Sequence, residues 1–129
     1  RYSSVDDLGN AVNPMIVEGQ IHGGITNGIG QALMERTVYY KSGQLLSGSY
    51  LDYALPRADD LPSLNGILFK GAPCLTNPLG AKGSGEIGAV AGPPAVVNAV
   101  LDALQDHGIT SIDMPLYPQK IWDFIKSTC

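Results

Sequence analysis

The stretch that most restricts how this chain can fold is Pro14 to Leu33, "PMIVEGQIHGGITNGIGQAL". Asn13 stands before Pro14, so an amide oxygen can accept from a free first-turn N–H while proline takes the helical position where its missing N–H costs nothing. Val17, Ile21, Ile25 and Ile29 then recur every four residues and Leu33 follows, which predicts a helix burying one face as far as about Glu35 or Arg36. The same segment contains Gly19, Gly23, Gly24, Gly28 and Gly30. At about 1 kcal/mol each relative to alanine, these glycines forgo about 5 kcal/mol of helix propensity, so something must approach the backbone closely. With about 100° per residue, Gln20, Gly24, Asn27 and Gln31 share a stripe roughly 60° wide, away from the centre of the isoleucine stripe. Two readings fit that face: tight packing on a strand or helix, or a neutral hydrogen-bonding platform for a polar ligand.

The remaining segments place this helix in an α+β fold of about three helices packed on a small mixed or antiparallel sheet. Arg1–Val5 reads as a short strand, with a turn at "DDLGN". "TVYYKSGQLLSGSYLDYAL" reads as two strands around a hairpin turn at "KSG", "PRADDLPSL" as loop and "NGILFKG" as a further strand. From Ala72 to Gly88 the chain carries turn-forming residues without periodicity, and an aperiodic loop of that length in a compact domain is commonly functional. Pro93 and Pro94 are expected to open a buried helix through Leu104 that closes at "DHG", with Gly108 as its cap. "ITSIDMP" suggests a short strand, and Pro118 to about Lys126 a last helix with Ile121, Trp122 and Ile125 turned inward. The 129 residues form one unit on this reading.

Charge and composition narrow the function. With a formal charge of −4 and only eight Lys and Arg in all, the chain lacks the cationic surface that nucleic-acid binding requires. No apolar run reaches the roughly 18 residues that span a bilayer, and the amino terminus has no signal-peptide core, so the expected location is cytoplasmic. Cys74 and Cys129 are too few for a disulfide framework or a cysteine-rich metal site, and Cys129 is expected to be free. The opening "RYSSVDDLG" has no initiator Met and reads as part of something longer.

The candidate chemistry lies in "GAKGSGEIG", Gly80 to Gly88, where Glu86 stands among glycines and no charged residue follows until Asp102. A solvated surface turn is one reading. In the other, the glycines let main-chain N–H groups close on a ligand, and desolvation raises the Glu86 pKa toward the range a general base needs. A phosphate loop does not match, because Lys82 is followed by Gly83 instead of Ser or Thr. His22 and His107 have no metal-like spacing, and no residue is assigned as a metal ligand. Asp6, Asp7, Asp59 and Asp60 read as solvated or capping carboxylates, and Cys74 is not assigned as a nucleophile.

Taken in order, "VDDLGNAVNPMIVEGQIHGGITNGIGQALMERTVYY", "GQLLSGSYLDYALPRADDLP", "NPLGAKGSGEIGAVAGPPAVVNAVLDAL" and "MPLYPQKIWDFI" resemble the carboxy-terminal segment of the large, molybdenum-binding subunit of the xanthine oxidase family, most of all its aerobic carbon monoxide dehydrogenase-like branch. The combination of Gly-Gln-x-His-Gly-Gly with Lys-Gly-x-Gly-Glu carries the resemblance. It implies that Glu86 lies beside molybdenum and acts as the base that takes a proton from metal-bound hydroxyl, and that Gln20 approaches the molybdopterin cofactor, in the cytosine dinucleotide form. Gly83, Ser84 and Gly85 are implied to be main chain packed at the cofactor. Residues 1–129 would then be one part of a larger cofactor-binding domain, inactive alone. In this family an iron–sulfur small subunit and an FAD-binding medium subunit complete the enzyme as a dimer of heterotrimers, and copper is added only in true carbon monoxide dehydrogenases. Water is the oxygen source, and carbon monoxide, aldehydes and N-heterocycles all remain open as substrates. The alternative is a non-catalytic folding and subunit-contact module in which the glycines serve packing.

Overall fold

The computed structural model describes residues 1–128; Cys129, expected to be free, lies outside the described residues. The elements in order are β1 (Tyr2–Asp7), α1 (Pro14–Leu33), β2 (Leu64–Phe69), α2 (Ile87–Ala103) and α3 (Pro118–Thr128). The α+β organisation and the number of helices agree with the sequence reading.

The sheet differs in direction. β1 and β2 pair in parallel, in register from Tyr2 opposite Leu64 to Asp7 opposite Phe69. The expectation of a mixed or antiparallel sheet rested on the hairpin at "KSG", which closes as a tight turn with Gly43 N–H donating to the Tyr40 carbonyl at 2.8 Å. Its pairing stops at one bridge, Tyr39 with Leu45. Tyr39, Tyr50 and Leu51 are exposed, so no apolar face supports longer strands there. β1 and β2 are instead joined through α1, and such a crossover returns the chain in the same direction.

α1 starts as its sequence dictates: Asn13 is the cap and its Oδ1 accepts from Ile16 N–H at 3.2 Å. Ile21, Ile25 and Ile29 are buried and form the core with Leu8. Tyr2, Val17, Leu64, Leu68, Ile87 and Val96 close around them, so both strands and α2 share one apolar centre.

α2 begins at Ile87, well before the expected start at Pro93. The two prolines remove two interior donors, and close backbone packing on α1 holds the turn ahead of them. Nor is α2 buried on most sides: Gly88, Gly92 and Pro93 are buried, while Ala95, Ala99 and Ala103 are exposed. A short 3-10 turn follows, and Gly108 closes it at φ 70°, as expected of that glycine.

"ITSIDMP" forms no strand. Ile109, Ile112 and Leu116 are nonetheless buried, and Leu116 N–H donates to the Ala32 carbonyl at 2.7 Å, which ties the segment to the end of α1 instead of to a sheet. In α3, Trp122 is 53% exposed rather than inward, with the Lys126 ammonium 4.9 Å from its ring centre. Among the described residues, no helix is long and apolar enough to cross a membrane.

Candidate active-site surface at the start of helix α2

Four of the five glycines of α1 divide into two sets with different causes, and the fifth, Gly30, is buried against the Glu35 and Pro56 side chains. Gly24 and Gly28 face Gly88 and Gly92 of α2, backbone against backbone. A Cβ on Gly88 would stand 2.5 Å from the Gly24 carbonyl carbon and closer still to the Ile25 nitrogen; one on Gly28 would stand 3.0 Å from the Gly92 Cα. Packing therefore explains these four positions. Gly19 and Gly23 are different, since a Cβ on either would meet nothing within 4 Å. The expected amide stripe divides in the same way: Gly24 enters the helix contact, whereas Gln20, Asn27 and Gln31 are exposed.

Gln20 looks toward the loop that precedes α2. Its Oε1 lies 4.0 Å from where a Cβ on Gly85 would be, and Gly83 has open space around it. Ser84 is half-buried. Glu86 is the residue before the first turn of α2, its carbonyl accepting from Val90 N–H at 2.9 Å while its side chain makes no capping bond. The structure thus brings Gln20, Gly83, Ser84, Gly85 and Glu86 to one surface. The carboxylate is exposed there, so the desolvation expected from its apolar sequence neighbourhood is not supplied by this chain's own side chains.

A network not evident from the sequence holds the loop ahead of this surface. Lys82 Nζ lies 2.5 Å from Asp7 Oδ2 at the end of β1, and Lys82 N–H donates to the Leu8 carbonyl at 2.9 Å. Asn10 Nδ2 donates to the Leu79 carbonyl at 2.8 Å, and the Gly80 carbonyl accepts from both Asn10 and Cys74 N–H. Gly9 and Gly80 sit at φ 60° and 64°, and a Cβ on Gly9 would run into the Gly80 carbonyl. Of the two carboxylates expected to be solvated or capping, Asp6 is instead buried and accepts from Ser4 Oγ at 2.7 Å, while Asp7 closes the turn by accepting from Gly9 N–H at 3.0 Å and also pairs with Lys82. The Lys82 hydrogen bond, then the Gly9 N–H, hold the Asp7 carboxyl below its usual range. Residues 75 positions apart meet here, which no local pattern reveals. Asp60, by contrast, caps as expected, accepting from Arg57 N–H at 2.9 Å.

Cys74 Sγ lies 3.1 Å from Thr76 Oγ1, and that hydrogen bond, with the Thr76 main-chain N–H, lowers the thiol pKa. Among the described residues, no group of three or more His, Cys, Asp or Glu side chains could hold a metal ion. The surface is therefore neutral amide and open main chain with one carboxylate.

Residues 1–62 match the family of molybdopterin cofactor-binding domains. The nicotine 6-hydroxylase large subunit of Paenarthrobacter nicotinovorans is 42% identical over 118 residues, which cover 92% of this chain and 14% of that protein. The carbon monoxide dehydrogenase large chain of Hydrogenophaga pseudoflava is 37% identical over 126 residues, covering 98% of this chain and 16% of that one. The structure of reconstituted CO dehydrogenase from Oligotropha carboxidovorans superposes with a TM-score of 0.92 at 35% identity, over 99% of this chain and 16% of that one. The chain belongs to the xanthine oxidase and aerobic carbon monoxide dehydrogenase family. It spans only 14–16% of the length of these relatives. The match to the cofactor-binding domain takes in Gln20 and the glycine face of α1, and Glu86 lies beyond it. As in the sequence reading, the family resemblance extends over nearly the whole chain.

Proposed function

We propose that residues 1–129 are the carboxy-terminal part of the molybdenum-cofactor-binding domain of a hydroxylase large subunit, with Glu86 as its general base. One observation carries the proposal: Glu86 is exposed next to open main chain at Gly83 and next to Gly85, whose Cβ position would lie 4.0 Å from Gln20 Oε1, and its side chain makes no capping bond to the helix it precedes. A molybdopterin cofactor is rich in polar ring edges and phosphate oxygens. The side chains here fit it, because an amide both donates and accepts and glycine main chain can approach closely. Gln20 would hold the cofactor by its amide, and Gly83, Ser84 and Gly85 by main-chain atoms. The cofactor supplies the two-electron oxidation when bound. The Glu86 carboxylate supplies a proton acceptor next to it, as general-base chemistry requires of a group within hydrogen-bond reach.

The complete enzyme on this reading is cytoplasmic, uses water as its oxygen source and carries the cytosine dinucleotide form of the cofactor. Electrons pass to iron–sulfur and FAD-binding partner subunits, in a dimer of heterotrimers, and copper enters only if the substrate is carbon monoxide. Names such as large subunit and large chain among the relatives support a multi-subunit parent. A segment of this length is inactive alone. The alternative, a module used for packing and subunit contact only, is favoured by the Gly24, Gly28, Gly88 and Gly92 contact, but leaves Gly19, Gly23 and Gly83 without a cause.

The test is metal analysis of the complete large subunit, co-expressed with its partners in a host that makes the cofactor. Dye reduction with carbon monoxide, aldehydes and N-heterocycles follows, with Glu86→Gln alongside. Molybdenum in both proteins with turnover lost in the variant supports the proposal. An assembly without molybdenum, or a variant with near-normal turnover, overturns it.

A further inference from the structure

The segment from Gly83 to Glu86 makes few contacts of its own, since a Cβ on Gly83 would meet nothing within 4 Å and Glu86 is exposed. Its position is set by its two ends. At the far end, Gly88 is wedged against Gly24 and Ile25 of α1. At the near end, Ala81 bridges Gly9, Lys82 N–H donates to the Leu8 carbonyl, and Asn77 clasps Ala81 by donating to its carbonyl at 2.9 Å and accepting from its N–H at 3.3 Å. All of these involve main chain. Among the described residues, the contact at the near end formed between side chains is the Asp7–Lys82 ion pair, which fastens the residue before Gly83 to the end of β1.

We infer that Asp7 and Lys82 are positioning residues for the Gly83–Glu86 segment: their ion pair fixes the near end, so that Glu86 and the open main chain hold a constant place relative to Gln20. The inference rests on the function proposed above for Glu86. Both side chains are about a third exposed, at 34% and 36%, and such a pair adds little to global stability. Placement is the more sensitive property, because a displacement of about 1 Å at a reacting group can cost about 100-fold in rate. With two glycines in three residues, Gly83–Gly85 has little backbone restraint of its own against such a displacement.

The experiment uses the complete enzyme and compares Lys82→Met, Lys82→Arg and Asp7→Asn with wild type. Molybdenum content, kcat, KM and amide hydrogen exchange by mass spectrometry are read, the last in peptides covering residues 83–86 and, as a folding control, 21–29. Expected are unchanged molybdenum, roughly 10- to 100-fold lower kcat in Lys82→Met and Asp7→Asn, and faster exchange at 83–86 with 21–29 unchanged. Lys82→Arg, which keeps the cation, restores both. The inference is overturned if Lys82→Met and Asp7→Asn leave kcat and exchange at wild-type values, or if Lys82→Arg is as impaired as Lys82→Met. Should Lys82→Met unfold, Asp7→Asn decides the question, since an amide oxygen can still accept from Gly9 N–H. If Glu86→Gln keeps full turnover, the function proposed for Glu86 falls, while the exchange data still judge the ion pair by itself.

Discussion

Replacing Gly88 by alanine should separate α1 from α2, and the structure fixes the scale of the effect. The new Cβ would stand 2.5 Å from the Gly24 carbonyl carbon, whereas ordinary contact starts at 3.4 Å, so the helices must move apart by about 0.9 Å or more at this crossing. Neither obstacle can rotate away, because both the Gly24 carbon and the Ile25 nitrogen are backbone atoms of a helix. Overpacking of this kind costs about 3 kcal/mol or more when the backbone must shift, and the gain in helix propensity returns about 1 kcal/mol. A net loss of about 2 kcal/mol lowers Tm by about 6–12 °C for a domain of this size. Gly19→Ala and Gly23→Ala are the controls. With nothing within 4 Å of either new Cβ, only the propensity term applies, and each should raise Tm by about 3–6 °C. Thermal unfolding by circular dichroism on the three variants measures all of this. A Gly88→Ala chain as stable as wild type would refute the backbone contact, and a Gly23→Ala chain destabilised like Gly88→Ala would refute the division of the glycines into two sets.

Three smaller predictions use other features. Asn13→Ala removes the bond to Ile16 N–H and should destabilise the fold by about 1 kcal/mol in urea unfolding; no change would mean that Pro14 alone defines the helix start. The Asp7 carboxyl is held low when folded, so its pairing stabilises above the unfolded pKa of about 4 and is lost as pH falls through the lower folded value. The gap in unfolding midpoint between wild type and Lys82→Met should accordingly be present at pH 7 and close in acid, and a gap that persists in acid would assign it to packing of the lysine stem. The Cys74 thiol is lowered chiefly by Thr76, so Thr76→Val should shift the pH midpoint of alkylation upward, and an unchanged midpoint would remove Thr76 as the cause.

What the sequence made legible was periodic or capped. The α1 stripe, the Asn13 cap and the Gly108 closure rest on local rules, and each is found in place. The direction of the sheet was not legible, because the hairpin at "KSG" is real as a turn but its strands have no apolar face to pack on. Pro93 and Pro94 misled in the other direction: local chemistry says helix start, and the Gly88–Gly24 contact, a tertiary feature, carries the helix through them. At the candidate site, the glycine spacing and lone carboxylate of "GSGE" pointed to a segment that the structure places at the surface beside Gln20. The Asp7–Lys82 pair and the Asn10 anchor were hidden because they join residues far apart in sequence. The exposure of Glu86 was hidden too, since apolar neighbours in sequence do not ensure neighbours in space.

The central claim is that Glu86 accepts a proton during turnover, and it is tested most directly by rapid-mixing reduction of the complete enzyme by its substrate, as a function of pH, in wild type and Glu86→Gln at matched molybdenum content. The account predicts a wild-type rate that falls in acid with the protonation of one group. In Glu86→Gln it predicts a rate lower by about 100-fold or more, with that acid limb gone, in keeping with the size of general-base effects. A variant that reduces at the wild-type rate with the same acid limb would contradict it.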